Sequence, residues 1–312
     1  MAQARLLERR EVASGPRLQH GALDLARRLP QLMIAAKDIA ATVIHGVHGR
    51  KRAGVGETFW QFRPFVQGES AGEIDWRRSA RDDRTFVRER EWEAAHTVWL
   101  WMDTSPSMAF VSDLARQPKV DRALVLGLAI ADLLVRAGER VGLLGLTRPL
   151  ATRGIVERLA EALLEEERKP GPGTHADLPR AGTLPPRCQC VLVGDFLHPA
   201  AAIKARIEDL SARGAAGHVV MIADPVEETF PFSGHVEFID SDTPARLRVG
   251  RAEAFRDTYV TALRQHREAV RAACLARGWS FAIHRTDRPA TEALLALRMR
   301  LEDGGKTYAG GA

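Results

Sequence analysis

The stretch Thr97-Val98-Trp99-Leu100-Trp101-Met102-Asp103-Thr104-Ser105-Pro106-Ser107-Met108 constrains this chain most, because an apolar run stops at a carboxylate followed by two hydroxyls spaced by one residue. The run is rich in β-branched and aromatic residues and too short for a membrane span or an independent helix. It predicts a strand buried on both faces of a parallel sheet. Asp103 then stands at the carboxyl end, where loops leaving the strand tips of an open α/β sheet form the ligand crevice. One carboxylate with two neutral hydroxyls suits a small hard cation, Mg²⁺ or Mn²⁺, and the stretch holds no cysteine or histidine. The alternative is that Asp103 and Ser105 cap the following helix, as both residue types favour.

Two further stretches bear on that choice. Cys190-Val191-Leu192-Val193-Gly194-Asp195-Phe196 is a second apolar strand ending in an acid, and Gly173-Thr174-His175 lies in the Pro/Gly-rich loop before it, as does Thr183. Together they add a second carboxylate and a threonine. The set resembles the metal-ion-dependent adhesion site of von Willebrand factor A-like domains. There two serines and a threonine ligate the ion, and the aspartates act mostly through water. By that resemblance Asp103, Ser105, Ser107, Thr174 and Asp195 would hold the metal.

Ahead of the first strand, Phe62-Arg63-Pro64-Phe65-Val66-Gln67-Gly68-Glu69 and Ile74-Asp75-Trp76-Arg77-Arg78-Ser79-Ala80-Arg81 resemble the signature of the domain of unknown function 58 family, from about Gly54 to about Arg300. Glu69 stands where that pattern has aspartate, and Gly72-Glu73 where it has basic residues. Members join the signature to a von Willebrand A-like domain. The expected fold class is therefore α/β: a Rossmann-like, mostly parallel sheet flanked by helices, with an N-terminal helical and short-β segment. The expected divisions are a flexible arm over 1–20, the helical and short-β segment over 21–94, the α/β domain over 95–303 and a mobile tail over 304–312. The family also implies partnership with MoxR-type AAA+ ATPases in maturing or remodelling client proteins.

Composition excludes several classes. Of 312 residues 45% are hydrophobic and 27% charged, the balance of an ordinary globular chain. The N-terminus carries charges throughout, and the longest apolar stretches, Leu32–Ile44 and Ala123–Val135, are too short to span a bilayer and contain charges. Many members of the family carry two membrane helices ahead of the signature; their absence here implies a short, cytoplasmic member with no membrane partner. Cys188, Cys190 and Cys274 make neither a disulfide framework nor a zinc site. The net charge of +5 is spread along helices without an aromatic-basic repeat, so nucleic acid is not the expected partner.

The remaining patterns place the elements. Gly21 to Ile44 reads as one or two helices, with Leu25, Leu29, Leu32, Ala36, Ile39 and Val43 recurring near helical spacing, and His45-Gly46-Val47-His48-Gly49 breaks the pattern as a loop. Thr58–Phe65 and Thr85–Arg90 read as short strands, with Asp75, Arg77, Arg78 and Arg81 as a solvated or salt-bridged turn, the alternative being a partner-facing basic patch, and Trp76 as packing. Val120–Val135 reads as a helix close under the sheet and Arg251–Arg277 as a long helix with His266 at the core edge. Asp224-Pro225 reads as a turn start, and Thr291–Leu301 as the last helix.

Three functions follow. The first is a metal-dependent protein-binding adaptor whose ion bridges to an acidic residue of a client or ATPase; no enzyme activity is expected of it. The second is a metal-dependent hydrolase or phosphoesterase using Ser105 or Ser107, with His175 or His198 as base. The third is a scaffold without an ion.

Overall fold

The computed structural model describes residues 17–47, 59–67, 70–82, 84–90, 96–169, 178–179, 184–185, 188–240 and 245–309. The chain divides into two compact units, Met1–Val47 with His96–Ala312, and His48–Ala95. The larger opens with helix α1 (Arg17–Val47). The smaller holds β1 (Phe59–Pro64), the short helix α2 (Trp76–Ser79) and β2 (Phe86–Arg90). The chain then returns to the larger unit with β3 (Thr97–Met102), α3 (Lys119–Arg136), β4 (Arg140–Leu143), α4 (Ile155–Arg168) and β5 (Gln189–Gly194). It continues with α5 (Ala200–Ala212), β6 (Ala216–Ala223), α6 (Pro225–Thr229), β7 (Val236–Ile239) and β8 (Arg246–Val249). It ends with α7 (Ala252–Leu275), β9 (Ser280–Arg285) and α8 (Ala290–Ala309).

Five strands form a parallel sheet in the order β4-β3-β5-β6-β9. Alternation sends Val98, Leu100 and Met102 of β3 into a core with α1, α3, α4 and α8, and Trp99 and Trp101 into a second core with α5 and α7. Both faces of the strand are therefore apolar, which is why its sequence is a continuous run. This is the α/β class with helices on both faces of a parallel sheet, as expected.

The α3 helix is buried along fourteen of its eighteen residues, more than contact with a sheet on one side explains. The second cover is α1, whose stripe Leu25, Leu29, Leu32, Ala36, Ala40 and Val43 packs on α3, α4 and α8. Arg28 pairs with Asp121 of α3, and Lys37 with Glu157 of α4. The N-terminal helix thus belongs to the α/β unit, whereas the sequence grouped it with the short-β segment over 21–94. It begins at Arg17, inside the expected arm, and continues through His45-Gly46-Val47, where a loop was expected.

At the other end α8 runs to Ala309, so the expected tail from 304 is helical as far as that residue. The stripe Ala290, Leu294, Leu297 and Leu301 anchors it, and Gly304 and Gly305 continue it at a cost of about 1 kcal/mol each. Strand β8, which the sequence did not announce, pairs antiparallel with β7, Phe238 opposite Leu247. Its Arg246-Leu247-Arg248 alternation is largely exposed and carries no core signal.

In the smaller unit the signature is a brace. Asp75 caps α2 by accepting from the Arg77 and Arg78 N–H groups. The Ser79 hydroxyl donates to the Asp75 carbonyl and accepts the Phe86 N–H, while the Asp75 N–H donates to the Phe86 carbonyl. The Arg78 guanidinium lies 4.6 Å from the Phe86 ring centroid, a cation–π contact that holds the turn onto β2. Trp76 does not pack as expected: it opens the helix and is 66% exposed.

Candidate functional site at the carboxyl edge of the sheet

Strands β3 and β5 are neighbours in register, Met102 beside Val193, so their terminal acids arrive at one place. The Asp103 N–H donates to the Val193 carbonyl at 2.9 Å. A Cβ on Gly194 would stand 2.7 Å from the Asp103 Cβ and 3.0 Å from its Oδ2. Only glycine there lets the two tips approach this closely.

A chain of oxygens connects the tips. Asp103 Oδ1 accepts the Ser105 N–H at 2.9 Å, Ser105 Oγ lies 3.1 Å from Ser107 Oγ, and the Ser107 hydroxyl donates to Asp195 Oδ2 at 2.9 Å. Ser105 precedes the 3₁₀ turn Pro106–Ala109 yet makes no side-chain cap to it, so its hydroxyl is not engaged in the capping role that the sequence allowed. Beyond Asp195, Phe196 adopts φ 49°, a left-handed conformation that costs a bulky residue about 1–2 kcal/mol. Its ring packs on Trp101 at 5.8 Å, and His266 Nε2 donates to its carbonyl at 2.7 Å. His266 of the sequence-read helix is thus a positioning group for the β5 tip.

One oxygen is left over. Asp103 is 2% exposed, and its Oδ2 has no hydrogen-bond partner among the described residues. Burial, helped by the nearby Asp195 charge, pushes the Asp103 carboxyl up to about 7, against the pull of Ser105 and the His198 charge. A buried acceptor without a partner costs about 1–3 kcal/mol.

Lysine 119 completes the site and was not read from the sequence. Lys119, at the first position of α3, is 1% exposed and donates to Asp195 Oδ2 at 2.9 Å and to Glu227 Oε1 at 2.7 Å. Burial pulls its pKa down, but the Glu227 and Asp195 carboxylates outweigh that and hold it above the usual lysine range, so it stays charged. A sequence signal did exist: a cation at the first position of a helix faces the positive end of the helix dipole, so it asks for an acid partner. Glu227 carried none, since it sits in α6 as part of a capping box with Asp224.

Asp224, the third strand-end acid, is saturated. It is fully buried and accepts from the Ser112 N–H at 3.0 Å, the Ser112 hydroxyl at 2.5 Å and the Val226 N–H at 2.9 Å. It is the turn start that the sequence suggested, and it ties the loop before α3 to the tip of β6.

Four of the five expected metal ligands, Asp103, Ser105, Ser107 and Asp195, therefore lie together. Thr174, with Thr183 and His175, lies outside the described residues. Among the described residues no three His, Cys, Asp or Glu side chains cluster to hold a metal, and two carboxylates with two serines fall short of that pattern. The donor set is all oxygen and includes a buried acceptor without a partner, which fits a hard cation.

The sequence matches the family described as "Protein of unknown function DUF58" over residues 61–269. Uncharacterized proteins of Mycobacterium bovis and Mycobacterium tuberculosis are 26% identical to it over 314 residues, covering 89% of this chain and 90% of each relative. Among solved structures, an aerotolerance-related membrane protein of Bacteroides fragilis matches with 15% identity and a TM-score of 0.38, over 67% of this chain and 100% of that one. BatB, a conserved hypothetical protein of Bacteroides thetaiotaomicron, matches with 13% identity and a TM-score of 0.32, over 68% and 100%. Among the described residues no helix is long and apolar enough to cross a membrane.

Proposed function

The chain belongs to the DUF58 family, and we propose that it is a metal-dependent protein-binding adaptor whose ion, Mg²⁺ or Mn²⁺, is held by Asp103, Ser105, Ser107, Thr174 and Asp195. The observation that carries this is the buried Asp103 Oδ2 beside a row of hydroxyl oxygens, with no hydrogen-bond partner among the described residues. A hexacoordinate ion held this way keeps an open position that a carboxylate of another protein can fill. The partner of that chemistry is a client protein, a MoxR-type AAA+ ATPase, or both, with the ion linking the two surfaces during maturation or remodelling.

The hydrolase alternative has weaker support. The Ser107 hydroxyl donates to Asp195 Oδ2, an oxygen that the Lys119 ammonium already occupies. The test is calorimetric titration of Mg²⁺ and Mn²⁺ into the full chain and its Asp103→Ala variant, with capture of the ATPase or client in Mg²⁺ and in chelator. The expected result is ion binding and partner capture by the parent chain alone, with the circular dichroism of the two unchanged. Equal capture in chelator would overturn it.

A further inference from the structure

We infer that the Lys119 ammonium is a tethered rival to the divalent ion, occupying Asp195 while the site is empty and retreating onto Glu227 when the ion enters. The inference rests on the metal-binding reading above and goes beyond it by naming what sets the affinity. Three observations carry it. Lys119 and the Ser107 hydroxyl meet on the same oxygen, Asp195 Oδ2. The amino group also reaches a second acid, Glu227, at the shorter distance of 2.7 Å. Both Lys119 and Asp195 are 1% exposed, so water screens neither.

Charge neutrality gives the arrangement its logic. With Asp103 ionised, as ion binding requires, Asp103, Asp195 and Glu227 supply three negative charges against the one positive charge of Lys119, and the deficit equals one divalent ion. Glu227 is needed for that balance: with the ion on Asp103 and Asp195, it neutralises the lysine that the ion displaces. In a poorly screened site two cations on one carboxylate repel strongly, so the lysine lowers ion affinity and the glutamate restores part of it. A lysine serving only to hold α3 in place would not make the two residues act in opposite directions.

Lys119→Met and Glu227→Gln keep the side-chain shapes and remove the charges one at a time. Titration of Mg²⁺ and Mn²⁺ into each full-length variant is expected to give binding about tenfold tighter than the parent for Lys119→Met and about tenfold weaker for Glu227→Gln. In chelator, Lys119→Met is expected to melt at a lower temperature than the parent, and the ion to recover the loss. Should Lys119→Met not fold, the double variant decides, compared with Glu227→Gln alone: tighter binding supports the rivalry, and equal or weaker binding overturns it. A parent chain that binds no ion beside a Lys119→Met chain that does would support the rivalry while overturning the adaptor reading. Binding by the parent that Lys119→Met leaves equal or weaker would overturn the rivalry and leave the adaptor reading standing. Silence from every chain would overturn both.

Discussion

Two strand tips in this molecule end in the same residue and have opposite fates. At the end of β6, Asp224 is fully buried, and three donors from Ser112 and Val226 satisfy both its oxygens. At the end of β3, Asp103 is 2% exposed, and only one of its oxygens has a partner among the described residues. The first carboxylate spends its hydrogen-bonding capacity on the fold, whereas the second keeps some in reserve. A strand-end acid is thus diagnosed by which neighbours satisfy its oxygens, because an unmet buried acceptor weakens the fold unless something outside the chain answers it.

The sharpest way to break the comparison is to make one substitution at both tips. Asp224→Asn replaces a charged acceptor with a donor that faces the Ser112 or Val226 N–H, so it loses charge-assisted hydrogen bonds and the α6 cap together. Hydrogen bonds to charged groups contribute about 1.5–3 kcal/mol each, and the expected loss is about 3 kcal/mol in urea unfolding, with ion binding retained. A stable Asp224→Asn protein would erase the distinction between the tips.

A smaller effect limits where the comparison can be made. Strand β6 carries Asp224 at one end and His218 near the other, with His284 across on β9. Burial pulls both imidazoles down to about 4, assisted by the Arg300 charge at His218 and the Arg122 charge at His284. Their folded pKa lies below the unfolded value, so the unfolded chain takes up protons first. The stability is complete above the ordinary histidine value of 6.5 and is lost as the pH falls toward about 4. Each is expected to cost about 2 kcal/mol by about pH 5, and His218→Gln is expected to remove one share of that acid slope in melts across the range. An unchanged slope would mean that the acid lability arises elsewhere.

How much of this was legible follows the same division. The β3 strand was read to the residue because burial on both faces writes itself as an unbroken apolar run, and Asp103, Ser105, Ser107 and Asp195 were found because a strand tip is a position in sequence. The α3 helix was legible as apolar on nearly every face, but its second cover was not, since the stripe on α1 does not say which helix it meets. Lys119 carried only the hint of a cation at a helix start, and Glu227 none: 108 residues separate them, so their pairing is a tertiary distance. Strand β8 escaped for the opposite reason, having little burial to mark it.

The smallest expected effect is also the one of opposite sign. Asp103→Asn keeps an oxygen to accept the Ser105 N–H and removes a charge that is buried beside Asp195, the two causes that lift this carboxyl to about 7. In chelator at about pH 8 the variant is expected to be more stable than the parent by about 1 kcal/mol, a gain of the size seen when an active site is relieved of a group kept for function. With saturating Mg²⁺ the order is expected to reverse, since the parent alone gains the binding free energy on folding. Urea unfolding of both chains, with and without Mg²⁺, measures the two differences in one experiment. If Asp103→Asn destabilises the chelated protein as Asp224→Asn does, the β3 tip is structural, and the reserve attributed to its second oxygen does not exist.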